Sequence, residues 1–133
     1  MIKRIFLVAC MQILTIVVYG QYTNPVLNKN MPDPSVVRAP DGQFYVYATE
    51  GGGQCVPIYK SRNLATRWRF AGSAFNSLTR PSFIKGGNIW APDINYINGQ
   101  FVLYYSMAEW GKEWNCDIGV ATSSSPRGGF VDR

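Results

Sequence analysis

From residue 30 onward, apolar and polar positions alternate in short runs punctuated by glycine, proline and asparagine. "GQFYVYATE" (42–50) and "GQFVLYYSMAE" (99–109) are rich in aromatic and β-branched residues, and each opens at a turn dipeptide, Asp41-Gly42 or Asn98-Gly99. Such runs predict antiparallel strands entered through hairpin turns. "CVPIYKSRNL" (55–64) and "CDIGVATSSS" (116–125) predict the next strand in each case, and "RWRFAG" (67–72) and "GGFVDR" (128–133) open a fourth. Beyond the N-terminal segment no long stretch carries the periodicity of an amphipathic helix.

The runs form two copies. Pro34 matches Pro92, Gly42 matches Gly99, Phe44 matches Phe101, Cys55 matches Cys116, and Ser61 falls opposite Ser123, at offsets of 57–62 residues. Four strands per repeat of this length is the pattern of a β-propeller blade, in which each unit covers one face of the next. The expected fold class is therefore all-β, with blade 1 over about 32–80 and blade 2 over about 88–133. Two blades do not close a ring, and an open pair leaves an uncovered face and an unpaired strand edge. The expectation is the N-terminal part of a longer propeller, with a pair closed by association of copies as the alternative.

Lys3 and Arg4 precede an apolar run from Ile5 to Tyr19, broken only by Cys10, Gln12 and Thr15, and Val18-Tyr19-Gly20 offers a cleavage site before Gln21. This predicts a signal peptide over 1–20 and a secreted or periplasmic mature chain. The run is short for a membrane span. "LVAC" (7–10) resembles a lipoprotein box, but the apolar run continues well past Cys10. With Cys10 removed, Cys55 and Cys116 remain as an even pair in an oxidising compartment. Corresponding strands of neighbouring blades fan apart, so two buried free thiols are expected rather than a disulfide.

The 13 basic and 8 acidic residues leave a net charge of +5, but the basic residues are scattered and Lys3 and Arg4 leave with the signal. No clustered stripe of the kind that binds nucleic acid is present. The chain has no histidine, which excludes a Ser-His-Asp triad and any histidine-containing zinc site.

In a propeller the innermost strands begin beside the axis and converge on one mouth of the channel. "NMPDPSVV" (30–37) places Asp33 there in the first blade, and "IWAPDI" (89–94) places Ala91 there in the second. Proline is expected to push each preceding residue into extended geometry. The dipeptide alone reads first as a turn capped by Asp33. Trp90, one step before Ala91, either presents its flat indole to a ligand or packs between blades. Asp93, two residues past Ala91, is expected on the same side of the strand, where it binds a ligand or satisfies backbone groups at the axis. Gly86-Gly87 reads as a turn that lets Trp90 approach the cleft, with a Gly86 backbone contact to substrate as the alternative. The stripes Phe44, Tyr45, Tyr47 and Phe101, Tyr104, Tyr105 read as blade core.

"NPVLNKNMPDPSVVRAPDGQFYVYAT", "IYKSRNLATRW", "GGNIWAPDINYINGQFVLYYSM" and "IGVATSSSPRGGF", in this order, resemble the start of family 43 of the glycoside hydrolases over residues 24–133. "VPIYKSRNL" with "WAPDINYINGQFVLYYS" is most similar to the arabinan endo-1,5-α-L-arabinosidase group. The resemblance implies a five-bladed propeller acting on arabinose- and xylose-containing plant polysaccharides. It implies that Asp33 is the general base of an inverting hydrolysis and contacts the substrate, and that the ligand open to Trp90 and Asp93 is a sugar, its apolar face stacked on the indole and a hydroxyl bound by the carboxylate. The family's general acid is a Glu of a later blade, and a second Asp tunes it. Neither motif falls within this chain, so the chain alone is expected to be inactive. Glu109 and Glu113, in "SMAEWGKEWNCD", lie in the loop between the second and third strands of blade 2 and read as solvated. The family's central calcium, where present, draws ligands from later blades, so no metal or other cofactor is expected from this chain. The implied partner is a cell-wall polysaccharide, arabinan or arabinose-containing oligosaccharides, with no nucleic acid and no membrane. The alternatives are a non-catalytic carbohydrate-binding propeller piece and a xylan- or xyloside-directed hydrolase of the same family.

Overall fold

The structure is a computed structural model that describes residues 23–112 and 114–133; the signal-peptide expectation and Glu113 lie outside the described residues. Eight strands form two four-stranded antiparallel sheets, each a meander in chain order. The first holds β1 (Ser35–Arg38), β2 (Phe44–Tyr47), β3 (Pro57–Ser61) and β4 (Arg69–Ser73). The second holds β5 (Asn88–Ile97), β6 (Gln100–Ala108), β7 (Cys116–Ser123) and β8 (Val131–Asp132). Among the described residues no helix forms. The sheets are two adjacent blades of an all-β propeller, as the repeat predicts.

The repeat is visible in the register. Phe44 pairs with Ser61 in the first blade, and Phe101 pairs with Ser123 in the second. Each serine is buried and makes the same two bonds. Ser61 Oγ donates to the Thr66 carbonyl and accepts from the Asn63 N–H, while Ser123 Oγ donates to the Gly128 carbonyl and accepts from the Ser125 N–H. A buried hydroxyl needs partners, and here it fixes the turn that leads out of the third strand of each blade.

The cysteines correspond less well than the serines. Cys55 stands six residues before Ser61 but Cys116 stands seven before Ser123. Cys55 lies just outside β3, whereas Cys116 opens β7. Both thiols are free, as expected, but they are not a buried pair: Cys55 is half-buried and Cys116 exposed.

Asn98-Gly99 joins β5 to β6 with both residues at positive φ, 49° and 84°, the two-residue turn that matches strand twist. Asp41-Gly42 sits in a longer connection. There the Asp41 carboxylate accepts from the Gln43 N–H (2.9 Å) and the Tyr45 hydroxyl (2.8 Å).

The core lies between the two sheets. Tyr45, Tyr47 and Ile58 from blade 1 meet Ile89, Ile94, Phe101, Leu103, Tyr105 and Phe130 from blade 2, and Phe75 from the connection joins them. Phe75 stands edge-on to Tyr105 at 5.5 Å and to Phe130 at 6.3 Å. The expected aromatic stripes divide as alternation requires: Tyr45, Tyr47, Phe101 and Tyr105 are buried, Phe44 is half-buried, and Tyr104 faces outward. At the outer edge the backbones themselves touch. A Cβ on Gly72 would come within 2.3 Å of the Arg127 carbonyl oxygen, and one on Gly128 within 2.4 Å of the Ser73 carbonyl oxygen. Only glycine permits that approach.

Candidate active site

Asp33 lies two residues before the inner strand β1 and Ala91 lies within the inner strand β5, at its bulge, and the geometry at both is not the extended one that a following proline favours. Asp33 has φ 51° and Ala91 has φ 43°. Left-handed geometry costs an L-residue about 1–2 kcal/mol, so tertiary contacts must hold it. Thr49 supplies them. Its Oγ1 donates to Asp33 Oδ2 at 2.8 Å and accepts from the Ala91 N–H at 2.8 Å. Its own N–H donates to the Pro32 carbonyl at 3.1 Å, and the next N–H, of Glu50, reaches the Ile89 carbonyl at 3.0 Å. One short segment thus joins the entrances of both inner strands, and the two matched pre-proline positions meet through a single hydroxyl. Asp33 itself stays exposed.

The β5–β6 register shifts between Trp90, paired with Ser106, and Asp93, paired with Tyr104. The buried positions change phase across this bulge, from Ile89 to Pro92 and Ile94. Ala91 and Asp93 are both exposed, with the buried Pro92 between them. Asp93 receives the Ser35 hydroxyl (3.4 Å) and the Asn95 amide (3.0 Å), while the Ile94 N–H donates to Ser35 Oγ (3.1 Å). This network ties inner strand to inner strand.

Trp90 is half-buried, and its Nε1 donates to the Ala108 carbonyl at 3.3 Å. Its ring stacks on Trp110 with centroids 5.1 Å apart and planes 12° from parallel. Trp110 is 74% exposed, so the open face of the pair belongs to Trp110. The sequence reading missed this residue by weighing the β6–β7 loop only through its glutamates. The signal was there: a tryptophan just past the end of the strand that pairs with Trp90.

Glu109 is engaged by Lys112 at 3.0 Å in a surface ion pair. Gly86 sits in an exposed turn with φ 72°. Its neighbour Gly87 makes the connection to the blade junction: Arg80 donates to the Gly87 carbonyl at 2.7 Å and to both Glu50 oxygens at 3.1 and 2.9 Å. Burial, with Glu50 adding to it, pushes the Cys55 thiol up to about 11, which keeps it protonated and unreactive as a nucleophile. Among the described residues no three His, Cys, Asp or Glu side chains gather where they could share a metal ion.

The described residues thus form two adjacent propeller blades, with an exposed carboxylate held just before the first inner strand. Residues 22–133 match the sequence model of the glycosyl hydrolases family 43, and the chain belongs to that family. A probable arabinan endo-1,5-alpha-L-arabinosidase C of Aspergillus clavatus is 35% identical over 98 residues, which are 73% of this chain and 30% of the relative. The alpha-L-arabinanase of Cellvibrio cellulosa, solved with arabinohexaose, superposes with a TM-score of 0.62 at 32% identity, covering 77% of this chain and 34% of that one. A xylan beta-1,4-xylosidase of Bacillus halodurans gives a TM-score of 0.67 at 28% identity, over 84% of this chain and 22% of the xylosidase. The chain thus spans about a third or less of the length of these relatives.

Proposed function

We propose that the chain is the N-terminal part of an exported glycosidase that cleaves arabinan α-1,5-L-arabinofuranosyl linkages by inversion, with Asp33 as the general base. The observation that supports this reading is the exposed Asp33 carboxylate, held by Thr49 just before the first inner strand. In such a reaction the base takes a proton from a water as that water attacks the anomeric carbon, and a carboxylic acid opposite protonates the departing oxygen. The two carboxyl groups stand about 6.5–9.5 Å apart to admit the water. The acid belongs to a later blade. Glu109 is held by Lys112 in a surface ion pair. The open face of Trp110, backed by Trp90, provides a flat surface for the apolar side of a pentose ring. Lys3-Arg4 and the apolar run behind them support export.

The second reading is a xylan- or xyloside-directed hydrolase. The xylosidase superposes on these blades as well as the arabinanase does, so the fold of this region does not separate the two substrates. A non-catalytic carbohydrate-binding role remains the reading if no acid is ever supplied opposite Asp33. The test is turnover of arabinan and xylan oligosaccharides by an enzyme that carries the later blades. Asp33→Asn should lower kcat by about 10²–10⁴-fold, the usual contribution of a general base, with substrate still bound. Near-normal turnover would remove Asp33 from the mechanism, and release of xylose products alone would favour the second reading. The 133-residue chain by itself should not cleave linear arabinan.

A further inference from the structure

We propose that Thr49 is a positioning residue for Asp33, and that the second blade sets its orientation. The proposal rests on the reading of Asp33 as the base. A threonine hydroxyl has one proton to give and lone pairs to receive with. The Ala91 N–H can only donate, so its 2.8 Å approach makes Thr49 Oγ1 an acceptor on that side. The single hydroxyl proton is then committed to Asp33 Oδ2, also at 2.8 Å. Neither bond can reverse without losing the other. The β-branched side chain is stiff about its first torsion, and the backbone on either side is anchored to Pro32 and Ile89.

The bulge in β5 supplies the donor. A bulged residue falls out of the strand ladder, and a backbone N–H without a partner is costly. Ala91 stands between the Trp90–Ser106 and Asp93–Tyr104 pairs, and its N–H goes to Thr49 instead. This accounts for the different residues in the two matched slots. The first copy presents a carboxylate; the second contributes only a backbone amide, for which alanine suffices. Among the described residues Thr49 is the partner of the Asp33 carboxylate, through Oδ2, which leaves Oδ1 to face a water. Docking of blade 2 on blade 1 is thereby coupled to the aim of the base.

The test uses the 133-residue chain with Thr49→Val, which removes the hydroxyl at nearly constant shape, and Thr49→Ser, which keeps it. In Thr49→Val the carbon resonance of the Asp33 side-chain carboxyl should move, and the Ala91 amide should exchange with solvent about tenfold faster, as expected for the loss of about 1.4 kcal/mol of hydrogen bonding. Thr49→Ser should resemble the wild type in both. Should Thr49→Val not fold, Thr49→Ala answers the same question. An unmoved carboxyl resonance, or a Ser variant as altered as the Val variant, overturns the proposal. So does a kcat within about twofold of wild type for Thr49→Val in an enzyme carrying the later blades, where the loss of a bond to a charged group predicts at least about tenfold. If Asp33→Asn leaves turnover intact while the resonance and exchange behave as expected, the base assignment fails and the bridge stands, so the two failures are distinguishable.

Discussion

The Tyr47 hydroxyl donates to the Pro126 carbonyl at 2.7 Å, from the second strand of one blade to the last loop of the other. Tyr47 is fully buried and its ring stands edge-on to Phe130 at 6.0 Å, so this strut joins the two sheets within the apolar layer. Burial pushes its phenol well above the ordinary tyrosine value, which keeps the hydroxyl a donor throughout the working pH range. Tyr47→Phe removes the donor but leaves the Pro126 carbonyl in place. It should lower stability by about 1–2 kcal/mol, the cost of an orphaned acceptor, with no change in the denaturant slope. Tyr47→Ala, which also opens a cavity, should lower it by about 3–5 kcal/mol. Urea unfolding followed by tryptophan fluorescence reads both. A phenylalanine variant as stable as the wild type would mean that the hydroxyl contributes nothing to blade docking.

Trp110 and Trp90 make separable predictions although their rings are stacked. Trp110 is 74% exposed, so Trp110→Ala should leave the unfolding midpoint almost unchanged while weakening arabino-oligosaccharide binding about tenfold, near the upper end of an aromatic stacking contribution. Trp90 is half-buried and bonded to Ala108, so Trp90→Ala should weaken binding and lower stability together. Chemical-shift titration with the oligosaccharide and thermal unfolding of each variant check the pair. Unaltered affinity in Trp110→Ala would remove the platform from the proposed site.

The features legible in the sequence are those set by local chemistry. Asn98-Gly99 could be read because both residues of so short a turn need positive φ, which Asn and Gly adopt readily. The correspondence of Phe44 with Phe101 and of Ser61 with Ser123 could be read from the repeat, whereas the pairing of each phenylalanine with its serine across the second and third strands could not, because the connection between them differs in length between the blades. Asp33 could be singled out through its motif, but not its backbone. The rule for residues before proline is local, and at Asp33 and Ala91 the bonds from Thr49 override it. Thr49 itself ends an ordinary strand sequence, and its role depends on a bulge 42 residues later that no alternation pattern announces. Trp110 escaped because its meeting with Trp90 depends on how far the chain runs beyond the β5–β6 pairing.

Cys55 gives the chain a signature at alkaline pH. Its thiol rises from 9.0 to about 11, through burial first and the neighbouring Glu50 carboxylate second. Below pH 9 the thiol is protonated in both the folded and the unfolded chain and contributes no pH dependence. As pH rises past 9 the unfolded thiol ionises while the folded one keeps its proton. The unfolded state then binds fewer protons, and stability must fall with pH until the folded thiol also ionises near 11. Tyr47 and Tyr105, both raised by burial, push the same way at still higher pH. Cys55→Ala should therefore show a shallower loss of stability between pH 9 and 11 than the wild type, as measured by urea unfolding at half-unit intervals. The native chain at pH 8 should be alkylated by iodoacetamide at the exposed Cys116, with Cys55 modified only on unfolding. Equal labelling of both thiols in the native state, or parallel pH profiles for wild type and Cys55→Ala, would show that the thiol is not shielded at the blade junction as the structure places it.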